Sequence, residues 1–88
     1  MNVYRLPLIL EPQPEGGYTI TCPILPELVT EAGSLDEVNE NVADALRALI
    51  EAYADLGRPV PAVLQPLSED MILWTETLVA MEPEAVVA

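Results

Sequence analysis

The chain is predicted to fold as a small α+β domain of element order β-β-β-α-β. A three-stranded antiparallel meander is followed by one long amphipathic helix, packed on one face of the sheet, and by a fourth, C-terminal strand. Strand alternation beside Gly16-Gly17 and helical periodicity from Leu35 to about Leu56 predict this order. With 88 residues the chain has room for one domain with a small core. We expect one domain over residues 1–82 and a flexible tail over 83–88.

The meander is predicted from three apolar segments separated by turn residues. The first strand covers residues 3–10, and Pro7 within it indicates an edge position or a bulge. Gly16-Gly17 can take the positive φ that a hairpin loop needs. The second strand, 18–22, alternates apolar residues with threonines, and a short third strand is expected over 28–31.

The helix is the clearest element. Ser34 followed by Glu37 fits a capping box, and Gly57 with the prolines after it ends the pattern. At about 100° per residue, one arc is apolar: Leu35, Val38, Val42, Ala45, Leu46, Leu49, Ile50, Tyr53 and Leu56. The opposite arc is charged: Asp36, Glu37, Glu40, Asp44, Arg47, Glu51 and Asp55. The helix should therefore lay its apolar arc on the sheet.

The C-terminal third is harder to assign. Residues 58–70 contain three prolines and indicate an extended connector. The β-branched residues that follow favour a fourth strand within Ile72–Met81, and a helix over Ser68–Trp74 is the alternative. Trp74 and Leu78 are candidates for an oligomer or partner interface, because tryptophan is enriched there; ordinary core packing is the alternative for Trp74.

The charge balance restricts the partners. Fifteen acidic residues face three arginines, with no lysine and no histidine, for a net charge of −12. Such a surface repels phosphate backbones, so we expect no direct binding to nucleic acid. It would attract a basic protein and speed the encounter. A purely solubilising role for the acidic surface is the alternative.

The residue types also argue against catalysis. Without histidine and lysine the commonest general bases and the imidazole metal ligands are missing. Asp36, Glu40 and Asp44 are spaced by four, but on one helix they form a line rather than a cage, so a solvated face is expected. We predict no catalytic residue, no metal site and no cofactor. The single cysteine, Cys22, fits a buried apolar position.

No targeting or membrane segment is predicted. No apolar run reaches the roughly 18 residues of a membrane span, and no secretory signal is visible at the amino terminus. We therefore expect a cytoplasmic protein that does not contact the membrane.

The order of these motifs resembles the HicB antitoxin family. The shared features are the Gly16-Gly17-Tyr18 strand, the Pro23-Ile24-Leu25-Pro26 turn and the Leu35-Asp36-Glu37 helix start. The likeness extends over about residues 3–61. It departs after Pro26, where Glu27 and Leu28 stand in place of the family's Gly and Cys.

The resemblance implies a stand-alone N-terminal HicB domain with a partial ribonuclease H-like fold. Its implied function is an antitoxin component that binds a small basic RNA-cleaving toxin of the HicA type and neutralises it by occlusion, without catalysis. Candidates for meeting that cationic partner are Glu27, Glu31, Asp36, Glu40, Asp44 and Glu51.

Full-length members commonly add a DNA-binding module, and we expect none in the acidic residues after Pro61. A homo-oligomer is expected, because the helix and an open sheet edge leave apolar surface to cover. Two other functions stay open: a self-associating structural or interaction module with an unknown partner, and a degenerate ribonuclease H-like nuclease.

Overall fold

The computed structural model of the chain describes residues 2–83. Its elements are β1 (Ile9–Pro12), β2 (Tyr18–Thr21), β3 (Val29–Ala32), a 3₁₀ turn (Leu35–Glu37) and α1 (Val38–Asp55). The strands form one antiparallel sheet in the order β1-β2-β3, and α1 packs against it mainly at β3. The predicted α+β class, the meander and the single long helix are confirmed.

The β1–β2 hairpin depends on its two glycines. Gly16 and Gly17 have φ of 101° and 77°. A Cβ on Gly17 would lie 2.8 Å from the carbonyl oxygen of Ala32, so the hairpin loop and the end of β3 approach at backbone distance. The predicted positive φ at both glycines is confirmed. The first strand is shorter than predicted: β1 begins at Ile9, and upstream of it Val3 makes one isolated bridge to Leu67.

The β2–β3 connection is a pair of consecutive turns, each with proline at its second position. The amide of Leu25 donates to the carbonyl of Cys22 at 3.1 Å, and that of Leu28 to the carbonyl of Leu25 at 2.9 Å. Proline is favoured there because its φ is already set. Glu27 fits the second turn without backbone strain, because its φ is not positive. Within the described range only glycines have positive φ.

The core lies between the sheet and the helix. Its buried members are Ile20, Cys22, Leu25, Leu28, Ala32, Val38, Val42, Leu46 and Leu64. The predicted burial of Cys22 is confirmed. The ends of the predicted apolar arc, Leu35 and Leu56, are instead exposed, at 37% and 67%. Leu64 comes from the proline-rich connector and closes the core from outside the regular elements.

The two helix ends are held differently, the first by a side-chain carboxylate and the second by backbone hydrogen bonds. The predicted capping box is not formed: the Ser34 side chain makes no cap bond, and the Glu37 carboxylate accepts from the amide of Gly33 at 2.7 Å and not from that of Ser34. At the other end the amide of Arg58 donates to the Tyr53 carbonyl at 2.9 Å across Gly57, whose φ is 66°. This is the glycine C-cap that the sequence predicts.

The predicted fourth strand is not confirmed. No residue from 72 to 82 belongs to a strand, and no helix forms over 68–74 either. β-branched residues stabilise a strand through cross-strand packing. Here the pairing stops at the Val3–Leu67 bridge, and the chain then turns at Ser68–Met71. Of the tail predicted over 83–88, all but Pro83 lies outside the described residues.

Candidate functional site

The outer face of α1, together with the 3₁₀ turn before it, carries four of the six predicted partner-binding residues. We call it the acidic helix face, made of Asp36, Glu40, Asp44 and Glu51. All four side chains are exposed. Asp44 also pairs with Arg47 at 2.8 Å, but the two side chains are 67% and 64% exposed, so solvent screens the pair. The face therefore keeps a strong net negative charge.

Glu31 lies on the opposite side of the molecule. In β3 its neighbour Ala32 is buried on the helix side, so Glu31 projects from the open face of the sheet. Its backbone carbonyl accepts from the Asn41 side chain at 2.8 Å, which joins β3 to α1. The structure thus separates Glu31 from the acidic helix face by the thickness of two layers.

The open sheet face has a pattern that sequence reasoning missed. Ile9, Thr21 and Val29 form one row across the strands, and Glu11, Thr19 and Glu31 form the next. Ile9 is 50% exposed and Val29 59% exposed. An apolar row therefore runs beside an acidic one. The strand register was needed to find it, because neighbouring members of a row are eight or twelve positions apart in the chain.

Glu27 is held in place by the helix. Its carboxylate accepts a hydrogen bond from the hydroxyl of Tyr53, in the last turn of α1. This hydrogen bond is the main reason that the pKa of Tyr53 is raised above its usual 10.0; desolvation and the charge of Glu27 act in the same direction, and Arg58 opposes them. Glu27 thus stands at the C-terminal end of the helix, away from the first turns that carry Asp36 and Glu40.

Trp74 and Leu78 lie in the segment that follows the last turn. We call residues 71–81 the arm. Arg5 anchors it: the guanidinium lies 3.9 Å from the centroid of the Trp74 ring and donates to the Trp74 carbonyl at 3.0 Å. Trp74 and Leu78 are 65% and 67% exposed. Both residues remain predicted interface candidates, and the contact of Trp74 with Arg5 was not predicted from the sequence.

An open groove separates the N-terminal segment, residues 2–8, from α1. Its volume is about 910 Å³, and the start of the arm lies along one part of it. Apolar side chains of the N-terminal segment and of the helix line it, among them Tyr4, Leu6, Val42, Leu46 and Ile50.

Metal ligands do not converge in this structure. Over residues 2–83, no three histidine, cysteine, aspartate or glutamate side chains are grouped closely enough to hold a metal ion. The line of Asp36, Glu40 and Asp44 remains a line on an exposed surface. The described helices also include none that is long and apolar enough to cross a bilayer.

These features define a small acidic α+β domain with charged surfaces on both sides of its two layers. The chain belongs to the HicB-like antitoxin family: the family described as the HicB_like antitoxin of bacterial toxin-antitoxin systems matches residues 6–82. The family expectation from the motif order is confirmed.

Individual relatives agree with the family. The chain is 34% identical over 68 residues to Antitoxin HicB 1 of Photorhabdus laumondii, covering 77% of this chain and 43% of that protein. It is 33% identical over 57 residues to Antitoxin HicB of Escherichia coli, covering 65% of this chain and 41% of that protein. The UPF0150 protein ssr1765 of Synechocystis is 29% identical over 70 residues, covering 76% of this chain and 89% of that protein. The chain thus spans about two fifths of the length of the two curated antitoxins and most of the length of the UPF0150 protein.

Proposed function

We propose that this chain is the antitoxin component of a toxin-antitoxin pair, and that it binds and neutralises a small basic RNA-cleaving toxin of the HicA type by occlusion, with no reaction of its own. Membership of the HicB-like family and the antitoxin names of its relatives support the role. The observation that carries the mechanism is the acidic helix face, with its exposed carboxylates on a chain of net charge −12.

Docking begins with electrostatic attraction. A cationic toxin is steered toward the negative surface, and salt weakens this steering because it screens exposed charges. Glu40 and Asp44 lie one turn apart on α1 and are presented together to a partner. The helix already fixes the backbone that carries these carboxylates, so only their side chains are ordered when they pair with lysine or arginine side chains of the toxin.

The test is a binding and inhibition assay with the purified HicA-type toxin from the same genome. We expect a complex whose association rate falls steeply between about 0.05 M and 0.5 M salt. Adding the chain should stop cleavage of labelled RNA by the toxin. Absence of a complex at low salt would refute the proposal.

A pair of matched variants locates the docking surface. Glu40→Lys combined with Asp44→Lys reverses two charges on the helix, and Glu11→Lys combined with Glu31→Lys reverses two on the open sheet face. We expect the helix variant to raise the Kd about tenfold or more, and the sheet variant to change it far less. The reverse outcome would move the docking surface to the sheet.

Absence of catalysis is tested separately. The chain alone is incubated with labelled RNA and Mg²⁺ or Mn²⁺, and we expect no cleavage. Cleavage that disappears in Asp36→Asn or Glu40→Gln would instead support the degenerate nuclease.

A further inference from the structure

We draw no further inference here: the strongest candidate, the exposed apolar surface of the arm over residues 71–81, lies beside a groove whose lining holds Glu51 and Glu76 as well as Arg5 and Arg47, and nothing in the structure shows what covers it.

Discussion

Arg5 and Trp74 are 69 positions apart in the chain, yet the Arg5 guanidinium lies 3.9 Å from the centroid of the Trp74 ring and donates to the Trp74 backbone carbonyl at 3.0 Å. The same side chain thus binds the ring through its charge and the main chain through a hydrogen bond. Its planar, delocalised group suits both contacts, and lysine would not replace it. This pair fixes the start of the arm against the N-terminal segment.

Replacing Arg5 should loosen the arm. A cation–π contact at a largely exposed site contributes about 0.5–1 kcal/mol, so Arg5→Met should increase the detached population about two- to fivefold. Trp74 is the only tryptophan, so acrylamide quenching of its fluorescence reports the change directly. Amide hydrogen exchange over residues 71–77 should accelerate in parallel. Arg58→Met removes the same charge away from the ring and should leave both signals unchanged; an equal response would show that charge alone is responsible.

The Tyr53 phenol should ionise above its usual pKa of 10.0, because its hydroxyl donates to the Glu27 carboxylate. A pKa that is raised on folding stabilises the protein fully below the unfolded value of 10.0, and this stabilisation is lost as pH rises through the folded value. Glu27→Gln removes the negative charge, so the pKa of Tyr53 should fall toward 10.0. NMR titration of the tyrosine Cζ carbons measures it. An unchanged Tyr53 titration in the variant would contradict the assignment.

Gly17→Ala should destabilise the domain more than Gly16→Ala. Both residues have positive φ, and strain of this kind is of order 1–3 kcal/mol for a residue with a Cβ. At Gly17 the new Cβ would also meet the Ala32 carbonyl oxygen at 2.8 Å, whereas nothing lies within 4 Å at Gly16. Urea unfolding of the two variants separates the clash from the shared strain. Equal losses would mean that the loop moves away from β3 freely.

Leu28→Ala should reduce the free energy of unfolding by about 2–5 kcal/mol, since it opens a cavity in the core. Leu28 is 1% exposed and is the last residue of the second proline turn. Leu56→Ala, at a position that is 67% exposed, serves as the control and should change stability by less than about 0.5 kcal/mol. Chemical denaturation of both variants makes the comparison. Similar values would place Leu28 outside the cooperative core.

Elements defined by neighbours in the chain were predictable. The helix follows from apolar residues repeating every three or four positions, and the Gly57 cap needs only backbone bonds within one turn. The hairpin follows from Gly16-Gly17 between alternating residues. The family likewise follows from motifs whose order lies within residues 3–61. In each case the physical signal is local, because the interacting groups are close in sequence.

Features that depend on contacts between residues distant in the chain were decided only by the tertiary structure. Leu64 became core, and the segment over Ile72–Met81 became an arm instead of a fourth strand, because strand formation needs a pairing edge that residue composition does not specify. The packing of α1 on the sheet places Glu31 on one side of the domain and Glu40 on the other. The sequence alone does not distinguish these two glutamates. Side-chain composition set the charge of this protein; the packing of α1 on the sheet distributed that charge over two separate surfaces.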